Sequence, residues 1–183
     1  MKKLVVLLLA VALLAGALAL GGCGETGKAQ GYMKTGDDLS LKLAAYGGGK
    51  QAAYDAGALL ADVGINLAGG TDLASTGKKA KLDIDKLIVQ GKEAKVEYSK
   101  IMDLNGVTDY QDYARLRNQA IDSEIAVLQQ LKGLIDALMK PGGGSSQQKI
   151  SDYAKSHATV VTDFAQAVLY SKDAANLKKD KNL

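Results

Sequence analysis

The sequence predicts an all-α fold, an antiparallel up-down four-helix bundle that follows a removable N-terminal segment and a short flexible tether. Three observations carry this. Four stretches repeat apolar residues at alternating spacings of three and four, the mark of one buried helical face. The stretches have similar lengths and are joined by short connections, which make consecutive helices antiparallel. The chain has one Pro, one Phe and no Trp, a composition that suits helices throughout.

At the N-terminus, Met1-Lys2-Lys3 gives a charged start and Leu4 to Leu20 is an unbroken run of Leu, Val, Ala and one Gly. These are the n-region and h-region of an export signal. As a helix the run reaches about 25 Å at roughly 1.5 Å per residue, short of the ~30 Å hydrocarbon core that a permanent span must cross. The run closes in Leu20-Gly21-Gly22-Cys23-Gly24, which holds the only Cys of the chain. It resembles the lipobox of bacterial lipoproteins, with an aliphatic residue at minus three, small residues at minus two and minus one, and then the Cys. Gly21 stands where Ala or Ser is more usual.

The resemblance covers residues 1–24. It implies that residues 1–22 are a signal peptide cut off before Cys23, and that the Cys23 thiol carries the lipid. Membrane lipid, held through acylated Cys23, is then the first expected partner. Two or more acyl chains hold firmly where one is marginal, so the protein is expected to be attached to a membrane without spanning it. The side is extracytoplasmic: the outer face of the cytoplasmic membrane or, in an organism with two membranes, the outer membrane, since Gly24 is not the Asp that usually signals retention.

Removal of residues 1–22 takes Lys2 and Lys3, leaving 21 basic and 20 acidic residues and a net charge of +1 over 161 residues. The basic balance of the whole chain therefore lies in the signal, and no nucleic-acid partner is expected. A chain of that length buries one good core and makes one domain. Without a Cys to spare, it has no disulfide and no thiolate metal site.

Residues 23–36 read as the lipidated Cys and a flexible tether, since 24–36 contain four glycines and no apolar periodicity. The helical bundle is expected over 37–177. Its first member, about Asp37 to Ala68, keeps Leu39, Leu43, Tyr46, Ala53, Leu60 and Leu67 in a seven-residue register across Gly47-Gly48-Gly49, which predicts one kinked helix closed by Gly69-Gly70. The second runs from about Gly77 to Leu104 on Ala80, Ile84, Leu87, Gly91, Ala94, Tyr98 and Ile101, stopped by Asn105-Gly106.

Thr108 and Gln111 suggest a capping box for the third helix. Its stripe is Ala114, Arg117, Ile121, Ile125, Leu128, Leu131, Ile135 and Leu138, and Pro141 with Gly142 to Gly144 ends it. Ser145 or Ser146 caps the fourth, with Ile150, Tyr153, His157, Val161, Phe164, Val168 and Ala175 on its face. Residues 178–183 read as a solvated charged tail.

The up-down topology brings Tyr46, Tyr98, Tyr110, Tyr113 and Tyr170 toward the tethered end, with Arg115 and Arg117 near them. Arg117 on a core stripe needs a carboxylate or an anionic ligand, unless the helix turns to let it snorkel. His157, the only His, sits on the predicted core face. It is one ligand where a zinc or di-iron site needs several, and no Glu-x-x-His or His-Glu-x-x-His occurs. The candidate ligand-binding set is Tyr98, Arg117 and His157, with no catalytic residue, no metal and no cofactor expected.

Two functions follow as expectations. The first is a membrane-anchored cell-envelope lipoprotein whose non-enzymatic helical domain has a binding or structural role, with an envelope protein or cell-wall polymer as partner. The alternative is a small-ligand-binding helical bundle with a pocket lined by Tyr and Arg. An exposed apolar patch favours the first, a cavity with convergent polar groups the second.

Overall fold

The computed structural model describes residues 24–41, 43, 73–142, 144–157 and 159–183. The signal peptide, Cys23, Tyr46 and the Gly47–Gly49 kink lie outside the described residues, as does the rest of the predicted first helix beyond Leu43.

Among the described residues the chain is all-helical, with five helices and no strand. They are α1 over 24–41, α2 Leu73–Met102, α3 Thr108–Met139, α4 Ser146–Ser156 and α5 Thr159–Asp180. None is long and apolar enough to cross a membrane.

Helix α1 corrects the tether. Residues 24–36 are helical because Ala29, Met33, Gly36, Ser40 and Leu43 are buried at spacings of four, three, four and three. Gly and Ser occupy two of the five positions, so the stripe carries little apolar signal. Burial of the face outweighs the roughly 1 kcal/mol that each helical Gly costs relative to Ala.

Helix α2 buries the face predicted for it: Ile84, Leu87, Ala94, Tyr98 and Ile101 are all buried. Gly91 lets α1 approach closely, since a Cβ there would lie 3.1 Å from Leu43 Cδ2. Gly106, at φ +71°, makes the turn into α3 in a backbone conformation that favours glycine. The capping box does not form. Val107 is the N-cap with no side-chain bond, and Gln111 Nε2 donates instead to the Met102 and Leu104 carbonyls, at 3.2 and 2.8 Å, sealing the end of α2.

Helix α3 is the centre of the fold, in contact with α2, α4 and α5. It buries two overlapping faces, one through Ala114, Ile121, Leu128 and Ile135 and another through Tyr113, Ala120, Glu124, Val127 and Leu134. The ion pairs Lys81–Asp136, Lys132–Asp85 and Lys95–Asp122 show α2 and α3 running antiparallel. Gln130–Asp163 and Arg117–Ser171 show the same for α3 and α5. Helix α1 runs along α3 in the same direction, as Gln30–Tyr110, Asp37–Tyr113 and Ser40–Arg117 require.

The predicted last helix is two. Ser145 caps α4 as expected, accepting from Gln148 N at 3.3 Å, but the helix stops at Ser156. His157 takes the C-cap position, its N–H bonded to Tyr153 O. Beyond the break the buried positions among the described side chains are Ala167 and Ala174 rather than Val168 and Ala175, so the face there has shifted by one residue. Nor is the C-terminus a free tail: α5 runs through Asp180, Lys178 and Lys181 pair with Asp37 and Asp109, and Leu183 packs against the core.

Candidate functional site

Where α1, α3 and α5 meet, their polar side chains converge. Asp37 on α1 is the hub: its Oδ1 accepts from the hydroxyls of Tyr98 at 2.6 Å and Tyr113 at 2.7 Å, and its Oδ2 pairs with Lys178 Nζ at 2.6 Å. The two tyrosine rings meet edge to face, 6.1 Å between centroids. Gly36 makes room for this, since a Cβ there would stand 2.7 Å from Tyr98 Cζ.

Arg117 reaches the same cluster from α3. Its Nε donates to Tyr98 Oη at 3.3 Å, Nη2 to Ser40 Oγ at 2.7 Å and Nη1 to Ser171 Oγ at 3.4 Å. Ser40 in turn donates its one hydrogen to Asp37 O at 3.1 Å. Among the described residues the hydrogen-bond partners of the guanidinium are thus all hydroxyls, and no carboxylate lies within ion-pair distance of it.

The missing carboxylate stands two helical turns away. Glu124 lies seven residues further along α3, 6% exposed, and its Oε2 has no hydrogen-bond partner among the described residues. Burial pushes its carboxyl up to about 7, against the opposing pull of Arg117. Burial likewise raises Tyr98 to about 12 and Tyr113 further, with Asp37 adding to both. At Arg117 burial opposes the charge, but the oxygens of Tyr98 and Tyr113 outweigh it and the guanidinium holds its proton more firmly than usual.

Beside this cluster lies a cavity of about 640 Å³, bordered by Met33, Lys34, Asp37, Asp38, Ser40 and Leu41 from α1, Tyr113, Arg117 and Glu124 from α3, and Ser171 and Lys178 from α5, with Tyr98 behind Asp37 and Arg117. The volume lies within the range of small-molecule sites, about 300–1,000 Å³. Three cationic and three acidic side chains share the wall.

Of the candidates named from sequence, the structure brings Tyr98 and Arg117 together and leaves His157 apart. The His157 ring stacks on Tyr153, 3.9 Å between centroids, and Tyr153 Oη donates to Gln130 O at 2.6 Å. That is thirteen residues beyond Arg117 along α3, about 20 Å at 1.5 Å per residue. His157 is displaced from the predicted core face because the helix breaks at it. Arg115 points away from the cavity and pairs with Asp112 at the surface. Cys23 is among the residues not described.

Sequence reasoning missed Asp37, Ser40, Glu124, Ser171 and Lys178. Glu124 alone had a signal, its seven-residue offset from Arg117. Among the described residues, no three of His, Cys, Asp and Glu are grouped so as to hold a metal ion. Comparison with protein families, curated proteins and solved structures finds no match for this chain.

Proposed function

We propose that the chain is a lipid-anchored protein of the cell envelope, held through Cys23, whose helical domain binds a small polar ligand in the cavity between α1, α3 and α5. The finer architecture in this reading is an up-down bundle of four rods, with α4 and α5 together forming one broken rod. The alternating directions of α1, α2, α3 and α5 support it.

One observation carries the binding role. A partly buried arginine opens onto a cavity, its hydrogen-bond partners among the described residues are all hydroxyls, and a charge so placed is stabilised by an anionic group from outside. Binding is favoured over acyl transfer because the serines of the cavity serve Arg117 and not a base. Ser40 and Ser171 both accept from the guanidinium, and Ser40 spends its hydrogen on a main-chain carbonyl. The cavity also favours the small-ligand role over that of a structural scaffold for an envelope protein or cell-wall polymer.

A thermal-shift screen of the full-length chain in detergent, against a panel of carboxylic acids and amino acids, tests the reading. Stabilisation by carboxylate-bearing compounds, lost in Arg117→Gln, is the expected result. A flat response across the panel, or equal shifts in the variant, overturns it.

A further inference from the structure

Resting on the cavity as a binding site, the geometry points to its ligand class: we infer a small zwitterion, an aliphatic amino acid, with its carboxylate against Arg117 and its ammonium group against Glu124.

Three features of the cavity select this class. The first is the separation of the two unmatched charges. Among the described residues Arg117 has no carboxylate within ion-pair distance and Glu124 Oε2 has no donor, and both line one cavity from one helix, two turns apart. They do not pair with each other, so something carrying both complementary groups fits between them. A bare carboxylate answers Arg117 and leaves Glu124 unmatched, and an amine does the reverse.

The second is charge balance. Lys34, Arg117 and Lys178 share the wall with Asp37, Asp38 and Glu124. With Lys178 already bonded to Asp37, the lining carries no large surplus of either sign, which suits a ligand of no net charge. A phosphate or other multivalent anion would meet three carboxyl groups.

The third is the apolar border. Met33 and Leu41 line the cavity from the α1 side, Met33 buried and Leu41 63% exposed. They offer an aliphatic side chain a surface to cover while both charged ends stay inside.

Isothermal titration of the full-length chain in detergent decides the matter with three probes: L-leucine, 4-methylpentanoate, which is leucine without its ammonium group, and 3-methylbutylamine, which is leucine without its carboxylate. Leucine is expected to bind at least about ten-fold more tightly than either fragment, each lost charge-assisted contact being worth about that factor or more. Glu124→Gln should cost leucine about ten-fold and leave 4-methylpentanoate unaffected. Arg117→Lys, which keeps the charge and loses the planar fork, should weaken both acids while preserving the fold by circular dichroism. If 4-methylpentanoate binds as tightly as leucine, or Glu124→Gln leaves leucine unchanged, the zwitterion assignment falls and the cavity remains a carboxylate site. If none of the three binds, this inference is overturned, and the thermal-shift panel alone decides whether the cavity binds anything.

Discussion

Gly36 on α1 lies directly beneath the ring of Tyr98 on α2, so near that a Cβ at Gly36 would stand 2.7 Å from Cζ and 2.8 Å from Cε1 of the ring. The hydroxyl of that ring joins Asp37 to Arg117, so the contact fixes both the helix pair and the cavity wall.

Gly36→Ala should therefore destabilise the protein by roughly 1–3 kcal/mol, since the ring has to move. Gly31, on the same helix with nothing within 4 Å of an added Cβ, supplies the control. Gly31→Ala should stabilise by up to about 1 kcal/mol through helix propensity alone. Urea unfolding of the two variants reads opposite signs, and stabilisation by both would show that the Gly36–Tyr98 approach is not needed.

Glu124 makes stability depend on pH with a defined sign. Its carboxyl is raised from 4.5 to about 7 in the folded chain, so the folded state holds a proton that the unfolded state releases above 4.5. Its contribution is full below pH 4.5 and is lost as pH rises through 7, a total of roughly 3 kcal/mol at about 1.36 kcal/mol per pKa unit. Arg117 from its own helix, Lys178 from α5 and Asp37 and Asp38 from α1 share its cavity, and none of them pairs with it. Denaturant unfolding at pH 5 and pH 8 should show the drop in the native chain and a much smaller one in Glu124→Gln. Equal drops in both would assign the pH dependence elsewhere.

Truncation after Leu177 removes Lys178, Lys181 and Leu183, three side chains with partners on α1, α3 and the core. A loss of roughly 1–3 kcal/mol is expected, mostly from the apolar contact and the partly buried Lys178–Asp37 pair. At 2–4 °C per kcal/mol for a chain of this size, calorimetry should show a midpoint lower by several degrees. An unchanged midpoint would restore the solvated tail.

Tyr153→Phe deletes one hydroxyl, the donor to Gln130 O at 2.6 Å, and should cost about 1 kcal/mol in urea unfolding. Its ring still stacks on His157. Because this pair stands about 20 Å from Arg117 along α3, ligand affinity should stay unchanged in Tyr153→Phe and in His157→Ala. A fall in affinity in either would put His157 back in the binding set.

The lipid anchor is open to a direct test. Cys23→Ala should leave the precursor uncut and unlabelled by radioactive fatty acid, there being no other Cys in the chain to take the lipid. A variant that still labels and matures would remove the lipoprotein reading while leaving the cavity untouched.

Helices α2 and α3 were legible in the sequence because each buries Ile, Leu and Tyr at regular spacing. Helix α1 was not, because Gly36 and Ser40 hold two of its five core positions, and what makes them core is the Tyr98 ring and the Arg117 guanidinium reaching in from other helices. The second buried face of α3 was hidden for a related reason: it contains Glu124, and a pattern search discards a carboxyl that tertiary structure encloses. Likewise the shift from Val168 to Ala167 follows from the break at His157, where neither Pro nor Gly marks the chain. Tyr98 and Arg117 were found because their own helices show them, whereas Asp37 and Lys178 matter only through neighbours far away in sequence.

Helix α1 starts by residue 24, beside the proposed lipid attachment at Cys23, and runs from there into the core. A domain fastened in this way has little leash: its posture over the bilayer is set by the axis of one rigid rod. The first turn of α3 and the C-terminal end of the chain lie beside this helix, since Gln30 bonds Tyr110 and Lys181 bonds Asp109. Asp37 stands about 20 Å along the rod from Gly24 at 1.5 Å per residue. If Cys23 carries the lipid, the cavity is then held at a set distance from the anchor by a helix and not by a flexible tether.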